Sequence, residues 1–115
     1  MAGTVNVHMA ERFDMQSMVE DGGRARLIVS GEVDLFTAPE LKATLRALVT
    51  DMGTTDLTVD LTDATLLDAA GIGALFGTYR LLHGRGGTLT ILAGDPHITE
   101  QLELTGLTDF VSLVG

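Results

Sequence analysis

The chain has 115 residues, no cysteine and no tryptophan, and its 16 acidic against 7 basic residues give a formal net charge of −9. Missing cysteines exclude disulfides and cysteine zinc sites, the length suits one domain with its own core, and the acidity opposes nucleic acid and anionic membranes as partners. No apolar run reaches the roughly 20 residues of a spanning helix and no basic-then-apolar leader opens the chain, a combination expected of a cytoplasmic protein.

Val5, Val7 and Met9 alternate weakly, so residues 1–12 read as a tail or an edge strand, and a single domain is expected over residues 13–115. Phe13, Met15, Ser17 and Val19 alternate with polar neighbours, and Asp21-Gly22-Gly23 supplies the positive-φ residues of a hairpin turn before a return strand from Arg24 to Ser30. Thr37 is placed to cap a first helix, with Pro39 in its first turn and Glu40 completing a capping box. Leu41, Leu45, Leu48, Val49 and Met52 form its expected buried stripe, and Gly53 its stop.

The central stretch reads as a strand, a tight loop and a helix start. Leu57, Val59 and Leu61 alternate as in a half-buried strand, the loop follows from Thr62 to Leu67, and from Asp68 the period changes. Ile72, Leu75, Phe76, Tyr79 and Leu82 fall at helical spacing, with Asp68 placed to accept bonds from the amides of Ala70 and Gly71. Gly73 and Gly77, four apart, are expected to let this helix lie close against a neighbour. Thr88 to Ala93 is the next strand, Asp95-Pro96 starts a short helix carrying Ile98 and Leu102, Gly106 ends it with Leu107 folding back, and Phe110 to Val114 forms a last strand. A hairpin followed by alternating helices and strands implies an α/β fold with a mixed sheet and right-handed crossovers between its parallel strands.

Catalysis finds little support in these residues. The turn into the second helix offers two alanines where a nucleophile would stand, and His8, His83 and His97 show no ligand spacing. Asp60, Asp63 and Asp68 cluster around one loop, but each has a capping or turn role open to it. Gly71, Gly73 and Gly77 are spaced one residue too long for a dinucleotide fingerprint, and no phosphate-loop Lys-Ser or Lys-Thr is present. No metal or cofactor is therefore expected. Of Leu66, Leu67 and Ile72 near the turn some are expected in the core, and if two remain outside, flanked by Asp34 and Asp68, they make a small apolar patch with an acidic rim, a feature of protein docking.

Five motifs in order carry a resemblance: Gly31-Glu32-Val33-Asp34 with Thr37-Ala38-Pro39-Glu40-Leu41; Val59-Asp60-Leu61; Leu67-Asp68-Ala69-Ala70-Gly71-Ile72-Gly73; Gly86-Gly87; and Leu102-Glu103-Leu104-Thr105-Gly106-Leu107. Over about residues 13 to 114 the chain resembles a STAS domain of the anti-sigma factor antagonist type. The resemblance implies a mixed four- or five-stranded sheet with helices packed mainly on one face. It further implies binding to an anti-sigma factor, often a serine kinase with a histidine-kinase-like ATPase fold, so that a sigma factor is freed. On that basis Asp34, Leu67, Asp68, Ala69, Ala70, Gly71 and Ile72 are expected at the partner interface.

In that family the residue after the junction Asp is usually a serine or threonine that the kinase phosphorylates to break the complex. Ala69 stands there in this chain and Ala70 follows it, so the phospho-acceptor position is degenerate and binding is expected to be constitutive. Two origins fit: a paralogue that stays in the unmodified state, or an alanine substitution made to imitate it. Thr65 and Thr37 are the candidate substitute acceptors, with turn and capping roles as the competing account. The alternative function is a non-enzymatic scaffold that associates with other STAS domains, or an interaction subunit of a larger regulatory or transport assembly.

Overall fold

In the computed structural model, residues 13–115 are described; the tail or edge strand expected over 1–12 lies outside them. Strand β1 (Phe13–Glu20) turns into β2 (Arg24–Val33) through Gly22 and Gly23, at φ 79° and 76°. Gly23 is required twice over, because a Cβ there would also lie 2.7 Å from Thr55 Oγ1. Its carbonyl accepts from the amides of Thr55 and Asp56 at 2.8 and 3.0 Å, which starts the pairing with the next strand.

Helix α1 (Ala38–Thr50), strand β3 (Asp56–Leu67), helix α2 (Ala69–His83), strand β4 (Thr88–Ala93), helix α3 (Pro96–Leu104), a 3-10 turn (Leu107–Asp109) and strand β5 (Ser112–Val114) complete the chain. The five strands lie in the order β1-β2-β3-β4-β5; the first pair is antiparallel and the rest are parallel. Parallel neighbours that are consecutive in sequence, each joined by a right-handed crossover, bring every helix to the same face of the sheet. The core lies there: Leu27, Val29, Leu57, Val59, Leu89 and Ile91 meet the stripes Leu41–Leu45–Leu48, Ile72–Leu75–Leu82 and Ile98–Leu102. A fully buried leucine in this layer contributes about 1.5–3 kcal/mol. The opposite face bears polar rows such as Arg26, Thr58, Thr90 and Ser112, matched across the register of four strands.

Strand β3 extends through the segment Thr62–Leu67 that reads as a loop in the sequence. Its pairing with β2 continues to Val33↔Leu67, but Ile28↔Asp60 is followed by Ser30↔Asp63, and Gly31↔Ala64 by Glu32↔Leu66. Each shift puts one extra residue on β3, the signature of a bulge. Inward positions therefore run Leu57, Val59, Leu61, Ala64 and Leu67, and the strand's period of two is broken twice. At the first bulge Asp60, nearly buried, accepts from the amide and hydroxyl of Thr62 at 2.9 and 2.6 Å.

Other boundaries depart in smaller ways. Met52 lies past the end of α1 and is exposed, so it is not part of that helix's stripe. Phe110 and Val111 belong to the turn before β5, which is shorter than expected. Gly73 and Gly77 face open space: a Cβ at either would meet nothing within 4 Å, so close packing does not explain them. Among the described residues no helix is long and apolar enough to cross a membrane.

Candidate functional site

Two strand-to-helix turns meet at one corner of the molecule. At the turn from β3 to α2, Asp68 is extended (φ −100°, ψ −176°) and its Oδ1 accepts from the amides of Ala70 and Gly71 at 2.9 and 3.4 Å. Such a cap contributes about 1 kcal/mol. Gly71 has to be glycine, because a Cβ would come within 2.6 Å of both Leu67 Cδ1 and Val33 Cγ1. With that residue pressed inward, the first turn of α2 turns Ala69 outward, exposed, and leaves Ala70 half-buried.

The turn from β2 to α1 is held by Asp34 and Thr37. Asp34 Oδ1 accepts from the amides of Phe36 and Thr37 at 2.9 and 3.0 Å. The Thr37 hydroxyl donates to the Glu32 carbonyl at 2.9 Å and accepts from the Asp34 amide at 2.9 Å. Thr37 itself is helical in backbone and makes no side-chain cap bond, so the expected capping box with Glu40 does not form. Instead Asp34, three residues earlier, folds the turn. The polar groups of this turn point at one another, and Leu35 and Phe36 between them are thrust outward, 68% and 85% exposed.

A main-chain bond joins the turns: the Asp68 amide donates to the Val33 carbonyl at 3.0 Å. Between them lies an open hollow of about 310 Å³ lined by Leu35, Ala38, Pro39, Lys42, Ala70 and Ala74. The corner thus offers two large apolar side chains, a shallow small-residue floor, and the carboxylates of Asp34 and Asp68 beside it. Exposed apolar side chains with an acidic rim are the kind of surface that suits protein docking.

Of the residues expected at the interface, Asp34, Asp68, Ala69 and Ala70 reach the surface of this corner. Leu67 does not: it is fully buried against the core because the two bulges return it to the inward phase. Gly71 and Ile72 are buried as well, on the inner side of the helix they begin. Leu66, at 42% exposure, is the outward member of its pair. Thr65, the extra residue of the second bulge, is exposed, whereas Thr37 is buried with its hydroxyl engaged on both sides; folding accounts for Thr37, and its hydroxyl is not presented to a kinase. Leu35 and Phe36 are exposed apolar side chains of this corner that the sequence reading misses. Their signal in the sequence is an apolar pair enclosed by Asp34 and Thr37 and out of phase with the helix that follows.

No three His, Asp or Glu side chains among the described residues are grouped as metal ligands would be. Asp60 and Asp68 are occupied locally, by Thr62 and by the helix amides.

The family model described as Mlab, STAS domain matches residues 17–115. An anti-sigma-B factor antagonist of Staphylococcus aureus is 36% identical over 83 residues, 72% of this chain and 76% of that protein. One of Listeria monocytogenes is 30% identical over 87 residues, 76% of this chain and 75% of that protein. The crystal structure of an anti-sigma factor antagonist from Mycobacterium paratuberculosis superposes with a TM-score of 0.81 at 30% identity, covering 90% of this chain and 86% of that one. With the five-stranded mixed sheet and its three helices, these matches show that the chain belongs to the STAS domain family, in the branch of the anti-sigma factor antagonists.

Proposed function

We propose that this chain is an anti-sigma factor antagonist that binds its target constitutively. It docks on an anti-sigma factor with a kinase-like ATPase fold, in the cytoplasm, and so frees a sigma factor; its role is binding and not catalysis. One observation carries the reading: the exposed residue that follows the cap Asp68, beside the apolar corner, is alanine. Where the family resemblance implies a hydroxyl for the kinase, Ala69 has none, and Ala70 cannot replace it. A phosphate at this spot would add about −1.5 to −2 charges beside an existing carboxylate and disfavour the interface; without an acceptor the complex has no such release.

The test is to mix the purified chain with the anti-sigma factors encoded in the same genome, with and without ATP. A stable complex by size-exclusion chromatography that ATP does not dissolve, with no phosphate at position 69 by mass spectrometry, is the expected result. Ala69→Ser should restore phosphorylation and ATP-driven release. Failure to bind any anti-sigma factor sinks the reading, and recovery of other STAS proteins in its place favours the scaffold.

A further inference from the structure

On a chain of net charge −9, three of the seven Lys and Arg residues line one groove. Lys42 and Arg46, four apart on α1, and Arg80 on α2 flank a trough of about 430 Å³ floored by Ala74, Gly77, Thr78 and Leu81. All three cations are exposed, and none pairs with a carboxylate among the described residues. The trough runs into the hollow of the docking corner, since Lys42 and Ala74 line both.

Of the two outward glycines of α2, Gly77 lines this trough and Gly73 stands one turn before it. Gly73 and Gly77 are exposed, four apart, and make no close approach inside the fold. Glycine in a helix interior weakens it relative to alanine, so these two positions run against the helix's own preference. Gly77 leaves a gap on the α2 side of the trough, between Ala74 and Arg80, where another backbone can approach.

We propose that this trough receives an acidic helical segment of the protein that seats at the corner, with its carboxylates between Lys42 and Arg46 on one wall and Arg80 on the other. The inference deepens the anti-sigma factor reading and rests on it. Charge complementarity defines the occupant: the walls are cationic and the floor small and partly apolar, which suits a Glu-bearing helix with short side chains on its inner face. A free polyanion would approach this acidic chain against long-range repulsion. A segment tethered to a partner already docked arrives at high effective concentration and needs no such steering.

The experiment compares the native chain, the triple variant K42E/R46E/R80E and Gly77→Leu in binding to the anti-sigma factor, by calorimetry at low and at moderate salt. Charge reversal should weaken the complex at least about tenfold and remove most of its salt dependence. Gly77→Leu, which leaves the charge unchanged and favours the helix, should also weaken binding by about tenfold while the melting temperature stays level or rises. If the native chain binds no anti-sigma factor, the function and this inference fall together. If it binds and the triple variant binds equally well, only the trough is overturned. The trough is likewise overturned if a short oligonucleotide competes for it more strongly than a Glu-rich helical peptide does.

Discussion

The two strand-to-helix turns are built alike and display opposite things. Each uses an aspartate to take up the free amides of the chain entering a helix, Asp34 at one and Asp68 at the other. Around Asp34 the turn is closed by inward polar bonds and pushes Leu35 and Phe36 into solvent. Around Asp68 a buried glycine draws the helix onto the sheet and leaves only methyl groups outside. In the proposed function the first turn is the area that a partner grips, and the second is the place where the grip would be regulated. Local capping chemistry does not distinguish them, and what each packs against does.

That contrast can be broken most sharply at Gly71. Gly71→Val forces branched carbon into Leu67 and Val33, an overpacking expected to cost about 2–3 kcal/mol, read as a lower urea midpoint. Phe36→Asp should do the reverse, leaving the urea midpoint near native while costing about 2 kcal/mol of affinity for the anti-sigma factor, roughly 30-fold in Kd. Should Phe36→Asp bind normally, the first turn is not the grip. The caps come next: Asp68→Ala should lose about 1 kcal/mol of stability, and Asp34→Ala somewhat more, because its carboxylate also anchors the Thr37 amide within a closed network. The smallest effect has the opposite sign. Gly73→Ala and Gly77→Ala should each stabilise the chain by about 0.5–1 kcal/mol, since neither methyl meets an obstacle.

Much of this architecture is legible from residue order. Asp21-Gly22-Gly23 marks the hairpin, the leucine stripes mark the helices, and the cap at Asp68 and the burial of Leu107 follow from local rules. The segment Thr62–Leu67 is not legible as a strand, because two bulges erase its alternation and the run Thr-Asp-Ala-Thr has the composition of a turn. The first bulge turns Ala64 inward against the alternation that Leu57, Val59 and Leu61 set, and the second restores that phase, so that Leu66 faces outward and Leu67 inward. Thr37 misleads for a related reason: a threonine before Ala-Pro-Glu matches a capping box, but the Glu32 carbonyl and the Asp34 amide, fixed by the end of β2, claim its hydroxyl first. The spacing of Gly73 and Gly77 suggests tight contact, and only the folded chain shows both in open space, with Gly77 on the trough beside α1.

The bond from the Asp68 amide to the Val33 carbonyl involves no side chain. Hardly any replacement short of proline can remove it, so the relative alignment of the two turns is insulated from mutation at the exposed positions of this corner. The side chain at position 69 can therefore change without altering the molecular contour around it, so a hydroxyl or a methyl there would sit in the same frame.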